Sequence, residues 1–177
     1  MTLNNENTDR FFAHPANEHF GLPLGFTAPL FTAVDVDGNP FDLQAACKQY
    51  KGVFLNFFRG SWWVPCQEFL TRLTAQIERF NEKNLLLVGL AADSVKALKR
   101  LKEEKAFKIP IIADPSRKII KNYKVFRLVK PGDIVYGKFK LAIPSTYLIN
   151  SEGKIVWEYI GEREDRPAVD LMLDATA

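Results

Sequence analysis

Apolar and polar positions along the chain fall into blocks whose period changes from one block to the next. Phe31 to Phe41 reads FTAVDVDGNPF. Short extended runs on either side of the turn pair Asp37-Gly38 predict a small hairpin. Asp42 stands where it can cap a short helix running through Tyr50. Gly52 then releases VFLNFF over 53–58, a run apolar but for Asn56 that suits a strand covered on both faces. Phe69, Leu70, Leu73, Ile77 and Phe80 recur at helical spacing and predict a helix over 64–83. Leu85 to Ala91 predicts a second buried strand. Ser94 precedes a helix with apolar Val95, Leu98 and Leu101 and Lys or Arg between them. Ile109 to Ala113 predicts a third strand, and Asp114-Pro115 opens a short helix to about Tyr123. Ser145 to Ile149 and Ile155 to Ile160 flank Ser151-Glu152-Gly153 and predict a second hairpin, after which Arg166-Pro167 starts a terminal helix. Residues 124–142 show no period, and residues 1–20 are polar and aperiodic.

Buried strands that alternate with helices imply parallel pairs joined by right-handed crossovers, and the closing hairpin adds antiparallel strands. The expected class is therefore α/β with a central mixed sheet. Residues 1–20 read as an arm and 21–177 as one domain, a size that 177 residues suit. The longest uncharged stretch, His19 to Val34, is broken by Pro23 and Pro29 and is too short to span a bilayer. No basic segment followed by an apolar one opens the chain, and two cysteines make no disulfide framework, so a cytoplasmic address and no membrane association are expected. Residues 96–130 hold twelve of the 24 basic side chains and three acids. Such a segment can attract an acidic partner, but nothing in it interleaves aromatics for base stacking. It reads as a solvated helical face rather than a nucleic-acid site.

Trp62-Trp63-Val64-Pro65-Cys66 carries the chemistry. It lies between a buried strand and a long helix, where the N–H groups of the first helical turn and the helix dipole favour a thiolate. Arg59, seven residues upstream, can add positive charge, and Pro65 starts the helix without losing a needed donor. The competing reading of Cys66 is a small buried hydrophobe. Cys47 is a candidate resolving thiol or a packed core cysteine. His14 and His19 are spaced i, i+5 with no thiol beside them, and no metal site or cofactor is expected.

The string Trp62-Trp63-Val64-Pro65-Cys66 is similar to the thioredoxin pattern Trp-Cys-Gly-Pro-Cys. With Arg59-Gly60-Ser61 before it, the segment resembles the peroxiredoxin-like branch of the alkyl hydroperoxide reductase/thiol-specific antioxidant family. Ala28-Pro29-Leu30-Phe31 with Asp37-Gly38 resembles that family's N-terminal hairpin. Ile143 to Asn150 with Gly153-Lys154-Ile155 resembles its late strand pair, and Asp165-Arg166-Pro167 its C-terminal signature. The resemblance covers about residues 24–175. It implies a thioredoxin-like fold with the Cys66 loop at a helix start. It also implies a cis Pro144 beside that loop, leaving the Ile143 backbone open to a substrate.

Three usual peroxidatic groups are missing. Trp63 stands where the family has its threonine, and also where a CxxC pattern has its first cysteine. Arg59 stands at the family's proline, and Pro144 at its late-strand arginine. Arg59 and Arg163 are candidate replacements for the missing positive charge. The resemblance implies a thiol oxidoreductase with one essential cysteine, Cys66, acting on a peroxide or a disulfide. Arg59 would assist it, and Trp62, Trp63, Pro65, Ile143 and Pro144 would shape the substrate site. A thioredoxin- or glutathione-like thiol would serve as external reductant, and a homodimer would rest on Phe31, Trp62 or Phe126. The alternative is a thioredoxin-fold binding protein whose active site has been lost.

Overall fold

The computed structural model describes residues 20–128, 140–161 and 166–176. The arm up to residue 19, His14, His19 and Arg163 lie outside the described residues. The fold is thioredoxin-like, a central mixed sheet flanked by helices. Five strands form it: β3 (Gly52–Phe57), β4 (Leu85–Ala91), β5 (Ile111–Ala113), β8 (Ser145–Asn150) and β9 (Ile155–Ile160), in spatial order β5-β4-β3-β8-β9. β3 pairs in parallel with β4 and β4 with β5, whereas β3–β8 and β8–β9 are antiparallel. The apolar run 53–58 therefore feeds the middle strand, and all six residues of β3 are buried. The N-terminal hairpin forms from β1 (Thr32–Val34) and β2 (Pro40–Asp42), with Gly38 at φ 84° in its turn. The aperiodic segment holds an antiparallel pair, β6 (Phe126–Leu128) and β7 (Lys140–Ala142).

Alternation along β3 divides the core. Val53, Leu55 and Phe57 face one layer, with Cys47 of α1 (Leu43–Gln49), Tyr123 and Tyr147. Phe54 and Phe58 face the other, with Cys66, Phe69, Leu70 and Leu73 of α2 (Val64–Ala75) and Phe80 of α3 (Ile77–Glu82). The helix expected over 64–83 is thus two helices. At Gln76, φ −106° and ψ 11°, the backbone N–H is shared among the carbonyls of Arg72, Leu73 and Thr74. That tightened turn ends α2, and α3 restarts with Phe80 fully buried.

Two caps act as the sequence predicts. Asp42 accepts from the Gln44 and Ala45 N–H groups, and Ser94 from the Ala97 N–H at the start of α4 (Val95–Lys105). On α4, Leu98 and Leu101 are buried, but Val95 is half exposed, because the first helical position turns outward. Lys96, Lys99 and Arg100 are exposed, and Arg100 pairs with Glu104 at 2.7 Å. α5 (Lys118–Asn122) and α6 (Val169–Asp174) complete the helices among the described residues. Phe31 and Phe126 are half-buried, Phe31 stacking near Phe41 and Phe126 lying under Lys121. Among the described residues, the apolar side chains left most open are instead Leu24, Phe26, Leu30, Val34 and Val64.

Candidate active site

Cys66 is the third residue of α2, after Val64 and Pro65. Trp63 is the N-cap and offers no side-chain cap; its carbonyl accepts from the Cys66 N–H at 3.1 Å and the Gln67 N–H at 3.2 Å. The first turn is thus closed by backbone, and the donors on the sulfur come from elsewhere. The Arg59 N–H, just past the end of β3, donates to Cys66 Sγ at 3.4 Å. Arg166 Nη2 donates to the same sulfur at 3.1 Å. Cys66 is 1% exposed.

The loop from Arg59 to Trp63 is packed and pinned. The Arg59 guanidinium lies 4.6 Å from the Trp63 ring centre, and Trp62 meets Trp63 edge-on at 5.9 Å. Arg59 thus reaches the sulfur through its backbone, with its side chain against Trp63. Ser61 donates from both its N–H, at 2.8 Å, and its Oγ to Asp93 Oδ2. The Ser61 carbonyl accepts from Gln67 Nε2 at 2.6 Å. A cavity of about 560 Å³ opens beside the loop, with Ser61, Gln67, Ser94, Lys96 and Arg100 in its wall.

Sheet register brings Arg166 to Cys66. Phe57 pairs with Ser145 and Ser145 with Ile160, so the end of β3, the start of β8 and the end of β9 lie at one end of the sheet. The chain that leaves β9 emerges beside the Cys66 loop. Sequence reasoning missed this residue. Asp165-Arg166-Pro167 is visible as a motif, but a contact across a hundred residues leaves no local periodicity.

The Ile143–Pro144 turn sits at the same end of the sheet, but its backbone differs from expectation. No cis peptide bond occurs among the described residues, so Pro144 is trans. The Ile143 N–H donates to the Val125 carbonyl at 2.7 Å, and its carbonyl accepts from Ser145 Oγ at 2.9 Å. Pro144 O accepts from the Gly161 N–H at 2.7 Å. These bonds tie the turn to Val125 and to the exit of β9, and they use the Ile143 N–H within the chain. Its side chain packs in the layer of Cys47, not that of Cys66.

Cys47 and Cys66 are both free and buried, and the sheet lies between them. Burial holds the Cys47 thiol above its ordinary range. On the same face, Tyr147 accepts from the Leu22 N–H and donates to the Tyr123 carbonyl, both at 3.1 Å. Burial raises both tyrosine hydroxyls, so they stay protonated. No group of three or more metal-ligating side chains occurs among the described residues. No helix among them is long and apolar enough to cross a membrane.

The sequence model of the AhpC/TSA family matches residues 24–158. The thiol-disulfide oxidoreductase ResA of Bacillus thuringiensis (strain Al Hakam) is 30% identical over 143 residues, covering 80% of this chain and 72% of that protein. The crystal structure of peroxidoxin BcpB from Mycobacterium tuberculosis superposes with a TM-score of 0.74 at 19% identity, covering 89% of this chain and 97% of that one. A peroxiredoxin 6 of Arenicola marina superposes with a TM-score of 0.76 at 17% identity, covering 88% and 72%. At those identities the two structures speak for the fold alone.

Proposed function

The chain belongs to the AhpC/TSA family, and from that premise we propose that it is a thiol oxidoreductase with Cys66 as its one essential nucleophile. The supporting observation is the pair of donors on Sγ, the Arg59 N–H and the Arg166 guanidinium. Donors aimed at sulfur favour the charged nucleophile, and a guanidinium does so more strongly than a neutral group.

In the proposed reaction the Cys66 thiolate attacks the outer oxygen of a hydroperoxide. The S–O bond forms as the O–O bond breaks, and the departing alkoxide takes up a proton to leave as an alcohol or water. Cys66 is then a sulfenic acid. A first external thiol displaces water from it to give a mixed disulfide, and a second thiol releases Cys66 with formation of the reductant's own disulfide. The same thiolate can open a substrate disulfide directly. Trp63 occupies the place of a neighbouring thiol and Cys47 lies across the sheet, so the second sulfur comes from outside the chain. The reductant is a thioredoxin- or glutathione-like thiol, and the cavity beside Ser61 and Gln67 gives it room next to the loop. Trp63 packs against the cluster that holds Cys66, and one of the partly exposed groups, Trp63 or Arg166, moves aside to admit substrate. Two unpaired thiols suit a reducing, cytoplasmic setting. Self-association rests on the exposed Leu24, Phe26 and Leu30.

The second reading, a binding protein on the same fold, draws on the 1% exposure of Cys66. One experiment separates them. The protein is mixed with hydrogen peroxide and with a low-molecular-weight disulfide, and Cys66 is followed by peptide mass spectrometry. Sulfenate or mixed disulfide forming faster than on free cysteine, and absent from Cys66→Ser, supports the enzyme. Reaction no faster than free cysteine with both reagents leaves the binding protein.

A further inference from the structure

We infer that Asp93 is a positioning residue for Cys66, acting through Ser61 and Gln67 without touching the sulfur. The inference rests on Cys66 being the reacting thiol. Asp93 follows β4 and immediately precedes the cap of α4. One of its oxygens, Oδ2, accepts both the Ser61 N–H and the Ser61 hydroxyl. Ser61 passes the constraint on, because its carbonyl accepts from Gln67 Nε2 at 2.6 Å, and Gln67 is the residue after Cys66. The loop is thus fastened to the central sheet on one side and to the first turn of α2 on the other.

What the bracket holds is the direction of one N–H. Arg59 sits two residues before Ser61, and its N–H donates to Sγ. Trp63 caps α2 through its backbone, its N–H donating to the Gly60 carbonyl at 3.3 Å and its carbonyl accepting from the Cys66 N–H, and the Asp93 and Gln67 bonds hold the loop on either side of that link. The chain also has Trp63 where a second loop thiol would stand, so no dithiol constrains the loop. An acceptor two residues past the end of β4, gripping two donors of one serine, supplies that constraint by hydrogen bonding. A carboxylate pays for partial burial best when it takes several donors, as Asp93 does here. Its role is geometric. A negative charge near a nucleophilic thiolate would not help it, so an amide oxygen at the same place should serve nearly as well.

The test compares two reagents on Cys66 in the full chain. Hydrogen peroxide requires the thiolate, its donors and the attacking line to be in register, whereas iodoacetamide reports access and nucleophilicity with looser demands. In Asp93→Ala the peroxide rate is expected to fall about 10- to 100-fold, the scale of a misplacement near 1 Å. The iodoacetamide rate should stay level or rise, so the ratio of the two rates falls at least about tenfold. Asp93→Asn, which keeps an acceptor oxygen, should restore the ratio to within about threefold. The double variant Asp93→Ala/Ser61→Ala should be no worse than Asp93→Ala, because both changes break one bracket. Cys47, mapped in the same samples, should stay unmodified, which shows that the core has not opened. If Asp93→Ala does not fold, Gln67→Ala breaks the other arm of the bracket and should lower the same ratio. An unchanged ratio, a parallel fall with both reagents, or additive losses overturn the inference. If the parent protein's Cys66 reacts with peroxide and disulfide no faster than free cysteine, the proposed function falls first and takes this inference with it. A reactive parent with an indifferent Asp93→Ala overturns the inference alone.

Discussion

Arg166 donates from Nη2 to Cys66 Sγ at 3.1 Å, joining two residues a hundred positions apart. The bond ties the segment after β9 to the first turn of α2 and gives the sulfur its one side-chain donor among the described contacts. A guanidinium is always charged, and its planar fork holds direction in a way an ammonium does not. The guanidinium comes from the segment after β9, at the end of the sheet where β3 stops and β8 starts.

Arg166→Ala is therefore expected to slow the peroxide reaction of Cys66 about 10- to 100-fold, the equivalent of a hydrogen bond to a charged group worth about 1.5–3 kcal/mol. Arg166→Lys should recover only part of the rate. Stopped-flow fluorescence of the adjacent Trp62 and Trp63 can follow the reaction. Equal rates for all three proteins would remove Arg166 from the mechanism.

Cys47 should behave as a core cysteine. It is 3% exposed, and burial raises its thiol above the ordinary range, so little thiolate is present at neutral pH. Thiol titration of the native protein is expected to leave Cys47 unmodified and to count it only after denaturant is added. Cys47→Ser should leave reduction by external thiol unchanged. A Cys47–Cys66 disulfide after peroxide treatment would show that the sheet does not keep them apart.

Gly60 is where the loop needs a missing side chain. A Cβ added there would run into Trp62 Nε1, well inside any tolerated contact. Gly60→Ala must push the indole away, at the cost of about 1–3 kcal/mol typical of overpacking. The expected result is a lower melting temperature, an altered tryptophan emission spectrum and slower reaction at Cys66. An unchanged spectrum would show that Trp62 can shift without consequence.

Glu158 gives a pH-dependent prediction. It faces Tyr147 across the β8–β9 pair, its Oε2 has no hydrogen-bond partner among the described residues, and burial raises its carboxyl. A raised carboxyl means that the folded state holds its proton more tightly than the unfolded state. The associated stability is present below the ordinary glutamate range and is lost as pH rises through the folded-state value. Glu158→Gln should therefore raise the melting temperature at pH 7 and have little effect near pH 4. Because the side chain is only partly buried, the gain is expected to be modest. A loss of stability at pH 7 would mean that the carboxylate has a favourable partner.

Much of the fold is legible in the chain because it follows from local regularities. The run VFLNFF marks the central strand, since apolar residues at both parities suit a strand covered on both faces, and its one polar member, Asn56, is buried with its amide bonded to Val88 and Thr146. Asp42 and Ser94 mark helix starts because short polar side chains satisfy first-turn N–H groups. Cys66 is marked by its place after that strand and beside Pro65. The break at Gln76 is not marked by any proline or glycine. It arises where one N–H is shared among three carbonyls as Phe80 settles into the core.

The sequence by itself determined the order of elements, the class of sheet and the cysteine to watch, because periodicity, caps and turn pairs act over a few residues. Tertiary structure decided which groups meet that cysteine. Arg166 and Arg59 reach the sulfur because antiparallel register puts the ends of β3 and β9 at one end of the sheet. Asp93 reaches the loop because β4 lies parallel beside β3 and ends at the same place. Cys47 does not reach it because side chains alternate across β3, and the layer that takes Val53 and Phe57 is not the layer that takes Phe54 and Phe58. Pairing register and the two faces of a sheet are relations between distant segments, and they exist only once the strands have come together.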